Sequence, residues 1–274
     1  MTQASTLRGP SVEALSVLEK QLDRILGDVG SRKAAEVGSN LFEVAGVIRQ
    51  EPRLRRALTD VSAEADAKAD LARALFSGKV DDIATGLVAT AAEQRWTATR
   101  DFADALEQLG VVSMVRSADD PGRVADELFA VERLLIDEPD LRSALADPAR
   151  SVDDKRALLE GLLANRTLSA TARLVELSVA GSHRTIVLAL AEYQRVAAAV
   201  RNGRVATVRT ARQLTSGETT RLEATLKKQY HRAVHLNVVV EPDLIGGMRV
   251  EIGDDVIDGS VANRLDDARR RLVG

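Results

Sequence analysis

The stretch IGGMRVEIGDDVIDGSVANRLDDARRRL, residues Ile245 to Leu272, decides the fold of the C-terminal part of this chain. It contains a short alternating run in which Met248, Val250 and Ile252 are apolar and the residues between them are charged. A period of two is typical of a strand with one buried face, because successive side chains point to opposite sides of a sheet. The run therefore predicts a half-buried strand near the end of the chain.

Glycines and aspartates surround this predicted strand. Gly246 and Gly247 precede it and allow backbone angles that a side chain would forbid. Gly253 and Asp254 follow it and predict a turn, since both residue types favour turn conformations. We interpret the aspartates of this region as turn residues rather than metal ligands or general acids, because no set of histidine or glutamate ligands accompanies them.

The segment VIDGS, residues 256–260, predicts a second short strand that leads directly into a helix. Two β-branched residues resume an extended backbone, and Ser260 can accept hydrogen bonds from the free N–H groups of a first helical turn. The predicted helix, residues 261–272, places apolar residues at spacings of four, three and four and ends in three arginines. Positive charges in the last turn suit the negative end of the helix dipole.

Together these elements resemble the C-terminal signature of the delta subunit of F-type ATP synthases, the family that includes the mitochondrial oligomycin-sensitivity-conferring protein. The alternative is a strand-turn-helix corner in an unrelated small α+β domain. The residues that carry the resemblance are Gly246, Gly247, Gly253, Asp254, Val256, Ile257, Asp258, Gly259, Ser260, Arg264 and Leu265.

The rest of the chain is predicted to be mainly helical and to contain an internal repeat. The segment LFEVAGVIRQEPRLRRALTD at residues 41–60 is similar to the segment LFAVERLLIDEPDLRSALAD at residues 128–147, at an offset of 87 residues. Over residues 41–75 the offset matches 14 of 35 positions without a gap, including the Glu-Pro pair. Shared composition alone does not keep such residues in register, so we infer a duplication. A helix from about Trp96 to Leu109 is expected to close the first bundle and open the second.

After Asn202 and Gly203 the sequence pattern changes from mainly helical to a mixture of strand and helix patterns. Alternation over residues 205–210 predicts one strand, and Val234 to Val240 is predicted to form the next. The helix between them is predicted to start at the capping-box pair Thr215 and Glu218. The predicted fold is therefore mainly α, a duplicated helical bundle with six-helix-like copies that share a helix, followed by a small α+β domain. The predicted domains are residues 1–95, 96–203 and 204–274.

Composition narrows the class of protein. The 274 residues are 45% hydrophobic and 29% charged with 3% aromatic residues, which indicates a folded chain whose core is built from Ala, Leu and Val. The net charge of −3 offers no general electrostatic attraction for nucleic acid. The absence of cysteine excludes disulfides and thiolate chemistry. With no apolar run near ~20 residues and no signal peptide, we expect membrane association only through partners.

The resemblance implies a non-catalytic role. Residues from about Trp96 to the end match the layout of an ordinary delta subunit, and the first 95 or so residues are extra, as in actinobacterial members. The family implies a peripheral-stalk subunit at the cytoplasmic face of the bacterial membrane, active in ATP synthesis and proton transport. Its helical domain gathers N-terminal helices of the alpha subunits, and its C-terminal domain holds the b-type stalk subunit. No cofactor, metal, nucleic acid or small-molecule substrate is implied.

We place the groove for the alpha-subunit helices in the second bundle, between the helices that carry Phe102, Leu128 and Leu190. Helix-in-groove contacts between amphipathic surfaces hold subunits together without any reacting group. Apolar residues at helical spacing more often form core, so the same three residues are also expected as ordinary core residues.

Other functional classes fit less well. His231 and His235 have the spacing of two metal ligands on a helix, but no third ligand is evident. No glycine-rich phosphate loop is present, because the segment GDVGSRKA at residues 27–34 lacks the required spacing. Arginine clusters at residues 53–56 and 269–271 lack interleaved aromatic residues and indicate solvated helix faces. The main alternative is a helical-repeat scaffold or adaptor unrelated to ATP synthase, which has no need of the C-terminal domain.

Overall fold

The chain divides into a large helical unit and a small α/β unit. The computed structural model describes residues 7–202, 205–230, 234–241, 244, 247–252 and 255–258. Its two compact units are Met1–Ala198 and Ala199–Gly274. This confirms the predicted fold class. The predicted division of the helical part at residues 95 and 96, and its end at residue 203, stay predictions.

Twelve helices lie in the described part of the chain. Residues 7–202 form α1 Pro10–Asp28, α2 Ser31–Gln50, α3 Pro52–Leu58, α4 Ala65–Phe76, α5 Asp82–Glu93, α6 Thr99–Ser117, α7 Pro121–Asp137, α8 Pro139–Ala146, α9 Val152–Leu163, α10 Ser169–Ser178 and α11 Ile186–Asn202, and α12 Ser216–Tyr230 belongs to the small unit. Among the described residues, no helix is both long and apolar enough to span a membrane.

The helices confirm the duplication that the sequence predicted. Helices α3, α4, α5 and α6 begin 87 residues before α8, α9, α10 and α11, respectively. The local hydrogen bonds repeat as well: Arg55 Nη1 donates to the carbonyl oxygen of Arg49 at 3.1 Å. At the equivalent place Arg142 Nη1 donates to the carbonyl oxygen of Ile136 at 2.9 Å. Each copy therefore consists of six helices, and α6 is at once the last helix of the first copy and the first helix of the second.

Membership in both copies surrounds α6 with other helices. Of its 19 residues, 13 are buried, and they include the polar residues Asp101, Glu107 and Ser113. An ordinary surface helix buries only one stripe of side chains. Because α6 is covered on nearly all sides, it forms the common core of the two copies.

The packing of α2 against α6 is unusually close. A Cβ atom built on Gly110 would lie 2.8 Å from the ring of Phe42 and 3.1 Å from the carbonyl oxygen of Gly38. A Cβ on Gly38 would lie 3.0 Å from the carbonyl oxygen of Gly110 and 3.2 Å from the backbone nitrogen of Met114. The two backbones therefore touch at this crossing, and glycine at both positions makes the approach possible.

The small unit is a four-stranded sheet with one helix. Its strands are β1 Val205–Thr210, β2 His235–Val240, β3 Met248–Ile252 and β4 Asp255–Asp258, in the order β2-β1-β3-β4. Strand β1 is parallel to β2 and antiparallel to β3, and β4 is antiparallel to β3. The parallel pair needs a crossover connection, which contains α12. The core consists of Ala206, Val208, Leu226, Val234, Val250 and Ile252.

The predicted capping box at the start of α12 is present. The Thr215 hydroxyl accepts from the backbone N–H of Glu218, while the Glu218 carboxylate accepts from the backbone N–H of Thr215 at 2.9 Å. A hydrogen bond from Arg212, and then one from Thr215, lower the pKa of Glu218 to about 2.

Part of the predicted signature can be located. Gly247 has a φ of 79°, which a side chain would disfavour, and it leads directly into β3. Val256, Ile257 and Asp258 lie on β4. The predictions for Gly246, Gly253, Asp254, Gly259, Ser260, Arg264 and Leu265, and for a helix over residues 261–272, lie outside the described residues.

The crossing of α2 and α6 predicts the effect of an added methyl group. Gly110→Ala should destabilise the protein by about 1–3 kcal/mol, because the Phe42 ring and the Gly38 backbone leave no room for it. Gly46→Ala, also on α2, is the control: a Cβ there meets nothing within 4 Å, so higher helix propensity should stabilise by up to ~1 kcal/mol. Urea unfolding measures the change in the free energy of unfolding for both variants. Equal changes in the two variants would contradict the close contact.

Candidate functional site

A groove with a volume of about 630 Å³ runs between α6 and α11 on the helical unit. Its floor comes from α6, and one wall comes from α11 and the loop that precedes it. The lining residues are Leu7, Arg100, Asp101, Asp104, Glu107, Gln108, Val111, Ser182, His183, Leu188, Ala191, Glu192, Tyr193, Arg195 and Val196.

The lining combines apolar and charged side chains in helical rows. On α6, Asp104, Gln108 and Val111 follow one another at spacings of four and three, which places them on one face. On α11, Leu188 and Arg195 are seven residues apart and share a face in the same way. Leu188 is 54% exposed, an apolar side chain on the wall of the groove that is open to contact. Two such rows on neighbouring helices suit the docking of an amphipathic helix.

A buried carboxylate, Glu107, lies in the floor of the groove. It accepts a hydrogen bond from the Tyr193 hydroxyl at 2.6 Å and one from the backbone N–H of Ser182 at 3.0 Å. It also forms an ion pair with Arg49, and His183 Nε2 lies 3.9 Å from its Oε1 atom. A buried carboxylate needs such partners, because burial without them costs several kcal/mol.

Arg49 brings the first copy of the bundle into this network. It extends from α2 and donates through Nη2 to the carbonyl oxygen of Ala103 and to Asp104, both at 3.2 Å. Glu107 completes the set of acceptors around the same guanidinium. One buried cluster therefore joins α2 of the first copy, α6, and α11 of the second copy.

A glycine in the loop before α11 lets that loop reach the cluster. A Cβ on Gly181 would lie 2.9 Å from both Glu107 Oε1 and the Tyr193 hydroxyl oxygen. Any side chain at this position would compete with the hydrogen bond between those two atoms. The loop therefore needs glycine here in order to close over Glu107.

Burial controls the protonation of the groups in and near the groove. Burial, and next the charge of Glu107, raise the pKa of Tyr193 well above its usual value, so the phenol remains a hydrogen-bond donor. Burial also raises the pKa of Asp104, although Arg49 opposes the change. On α1, Glu19 accepts from Gln108 Nε2 at 3.2 Å, and burial followed by the charge of Asp23 raises its pKa.

The described residues contain no group of three or more His, Cys, Asp and Glu side chains that could hold a metal ion. His183 lies 3.9 Å from Glu107, but this carboxylate already has three other partners. The geometry is that of a structural cluster under a docking surface. The second histidine of the predicted pair, His235, lies on β2, and His231 is outside the described residues.

The structure places all three predicted groove residues in the core. Phe102, Leu128 and Leu190 are fully buried, and Phe102 packs edge-to-face on Trp96 with ring centroids 5.6 Å apart. Their helices differ in position: α6 and α11 line the groove, while α7 contributes no lining residue. The contact of a partner with these helices stays a prediction, and it involves neighbouring side chains rather than these three.

Sequence reasoning did not find the Glu107 cluster. Glu107 and Asp101 lie within the apolar surroundings of the shared helix, and a charged residue at a core position was the one available signal. Its partners Arg49 and Tyr193 are 58 and 86 residues away along the chain, so no local spacing connects them.

Removal of the central carboxylate should destabilise the helical unit. Glu107→Ala leaves the Tyr193 hydroxyl and the Ser182 N–H without their acceptor and removes one of the two carboxylates that pair with Arg49, at a cost of about 3 kcal/mol. The control Glu160→Ala changes an exposed residue of α9 and should alter stability by less than about 0.5 kcal/mol. Urea unfolding distinguishes the two, and a small effect of Glu107→Ala would contradict the buried cluster.

The raised pKa of Glu19 predicts a pH-dependent effect. The folded state holds this proton more tightly than the unfolded state, so wild-type stability falls as pH rises from 4.5 through the folded pKa. Glu19→Gln keeps an acceptor for Gln108 but does not titrate. The variant should therefore match the wild type below pH 4.5 and become relatively more stable at pH 7. Unfolding curves across this range test the sign, and a relative stability that does not change with pH would contradict it.

Comparison with known proteins identifies the family of the chain. A family model described as ATP synthase delta (OSCP) subunit matches residues 99–272, which begin at the first residue of α6. ATP synthase subunit delta of a Nocardioides species is 54% identical over 99% of both chains. The Streptomyces coelicolor subunit delta is 40% identical over 98% of this chain and 99% of its own.

These relatives therefore include the first copy of the helical bundle, which lies before the part that the family model matches. A chain in the cryo-EM structure of the Toxoplasma gondii mitochondrial ATP synthase hexamer aligns with 61% of this chain and 95% of its own, at 21% identity. The TM-score of 0.34 is too low to support any structural argument. From the family match and the full-length relatives, the chain belongs to the ATP synthase delta (OSCP) subunit family, a non-catalytic subunit of the ATP synthase complex.

Proposed function

We propose that this chain is a peripheral-stalk subunit of a proton-translocating F-type ATP synthase, which links the catalytic head to the membrane-anchored b-type stalk subunit. Family membership over the full length of the chain carries the proposal. In this role the subunit is peripheral, lies at the cytoplasmic face of the bacterial membrane and reaches the membrane only through its partners. The alternative of an adaptor unrelated to ATP synthase does not fit the family match.

The α6–α11 groove is the proposed seat of an N-terminal helix of an alpha subunit. Its helical rows and the exposed Leu188 offer an apolar contact, and Arg100 and Glu192 supply charges of both signs beside it. Contacts of this type hold a subunit in place without chemistry. The groove thus supports the part of the proposal that concerns the head.

The small α/β unit is the proposed contact for the b-type subunit. Its two edge strands, β2 and β4, carry the exposed apolar residues Val240, Val256 and Ile257. Apolar side chains on an edge strand favour association with another chain. The proposal assigns a different partner to each unit, as the family resemblance implies.

Resistance to rotor torque requires that the head-binding region does not deform. The buried cluster of Arg49, Glu107 and Tyr193, together with the backbone contact of α2 and α6, ties both helical copies to one shared helix. Close-packed interiors deform little under load. The first copy thus supports the stiffness of the second in this proposal.

Purification of the tagged chain from detergent-solubilised membranes of its host tests the proposal as a whole. We expect alpha, beta and b-type subunits in stoichiometric amounts. Recovery of the chain alone, or with unrelated proteins, would contradict the stalk function.

A charge in the groove should weaken the contact with the head. Leu188→Glu removes the exposed apolar side chain, and the loss of about 1.5 kcal/mol of apolar burial corresponds to roughly tenfold weaker binding of the purified head. Val152→Glu changes another exposed apolar residue, on α9 and outside the groove, and it should leave the affinity unchanged. Equal affinities for both variants would place the alpha-subunit helix elsewhere.

A further inference from the structure

The first copy of the bundle contributes a residue to the α6–α11 groove. Leu7, which precedes α1, is one of the lining residues, whereas the others belong to α6, to α11 and to the loop before α11. The Leu7 side chain is only 6% exposed, so it is packed into the wall of the groove. The extra copy therefore reaches the surface that the second copy offers to a partner.

Hydrogen bonds hold residues 7–11, which we call the entry segment, against the start of α6. The carbonyl oxygen of Arg8 accepts from the Thr97 hydroxyl at 2.5 Å, and the Ser11 hydroxyl accepts from the backbone N–H of Thr97 at 2.8 Å. The same Ser11 hydroxyl donates to Asp101 Oδ2 at 2.8 Å. Ser11 is fully buried, so its two bonds are shielded from water.

The backbone of the entry segment is shaped for this attachment. Gly9 has a φ of 52°, in the left-handed region that a side chain disfavours. The turn at this glycine brings the Arg8 carbonyl and the Ser11 hydroxyl to one residue, Thr97. The path of the chain before α1 is therefore fixed by its contact with the start of α6.

The attachment changes the chemistry of the groove lining. Asp101 lines the groove, and its carboxylate would bring a charge to that surface. Ser11 and the backbone N–H of Ala98 both donate to Asp101 Oδ2, at 2.8 and 3.2 Å, so hydrogen bonds within the protein satisfy this oxygen. Leu7 then adds an apolar side chain to the lining. The entry segment thus makes the groove better suited to the apolar face of a helix.

The pair of Ser11 and Asp101 is specific to the first copy. At the offset of 87 residues, Ala98 and Leu188 take the places of Ser11 and Asp101. Neither side chain can form a hydrogen bond, and Leu188 is instead 54% exposed on the wall of the groove. The pair is therefore not a general requirement of the six-helix fold. It occurs where the first copy meets the groove.

We propose that the entry segment is part of the docking surface for the alpha-subunit helix. Leu7 contacts the docked helix, and Ser11 is a positioning residue that holds Leu7 in the wall of the groove. The inference rests on the proposed function of the groove. It goes beyond that function because it gives the first copy a direct contact with the head, in addition to its effect on stiffness.

Site-specific cross-linking in the assembled enzyme tests the contact. An aliphatic amino acid that carries a photoreactive diazirine replaces Leu7 in one sample of the full-length chain, Leu188 in a second and Val152 in a third. After purification of the host ATP synthase and illumination, we expect adducts on the N-terminal segment of an alpha subunit from positions 7 and 188. Position 152 lies outside the groove and should give none.

The pattern of adducts distinguishes the inference from the function on which it rests. An alpha-subunit adduct from position 188 without one from position 7 would overturn the inference and leave the seat of the alpha-subunit helix intact. The absence of alpha-subunit adducts from both positions would overturn both.

Binding of the purified head to matched variants measures the contribution of each residue. Leu7→Ala should weaken binding roughly fivefold, because the shorter side chain withdraws apolar surface from the docked helix. Ser11→Ala should weaken it to a similar extent, because the entry segment loses its bonds to Thr97 and Asp101. Arg8→Ala is the control: this side chain is exposed and only its backbone carbonyl is used, so the affinity should change less than about twofold.

A double variant separates positioning from a general structural effect. If Ser11 acts by holding Leu7, Leu7→Ala/Ser11→Ala should bind the head no more than about twofold more weakly than Leu7→Ala alone. Two full effects that multiply would overturn the positioning role. Urea unfolding checks that each variant is folded under the binding conditions. Wild-type affinity of both single variants would overturn the inference as a whole.

Discussion

The contact of the α2 and α6 backbones at Gly38 and Gly110 is the constraint on which the rest of the helical unit depends. Because neither position carries a Cβ, the helices approach until backbone atoms touch, and Phe42 closes over the crossing. The close approach also brings Arg49 within reach of Asp104 and Glu107. A crossing between larger residues would separate the axes toward the usual 8–10 Å and would leave this arginine without its partners.

A helix shared by two bundles has little solvent-facing surface on which to place its polar residues. Helix α6 resolves this by pairing them internally: Asp101 accepts from the Ser11 hydroxyl at 2.8 Å, and Glu107 binds Arg49 and Tyr193. Such contacts favour one packing arrangement of the core, because a buried polar group must meet its hydrogen-bond partners, whereas an apolar group can pack in several ways. For a subunit that holds a catalytic head still, a single packing arrangement is a functional property.

Some contacts occur at equivalent positions in both copies of the bundle, and others occur in only one copy. Asn40 accepts from the backbone N–H of Asp81 at 2.8 Å, and Glu127 accepts from the equivalent N–H of Leu168 at the same distance, so different side chains keep one local bond. Those bonds lie within each copy. Phe42 contacts α6 within its own copy and Tyr193 on α11 of the second copy, whereas Phe129 is half exposed.

The sequence by itself determined the elements and their order. Hydrophobic periodicity and the capping box of Thr215 and Glu218 act between near neighbours, and the repeat offset of 87 residues can be seen in the sequence itself. The structure confirms the helices, the repeat and the capping box. For Phe102, Leu128 and Leu190 the sequence left both a groove and the core open, and the tertiary structure shows that all three are fully buried. Only the tertiary structure shows that Glu107 meets Arg49 and Tyr193. The physical reason is distance along the chain. Helical spacing shows which residues share a face, but the partner of that face is set by packing between helices, and no local pattern records it.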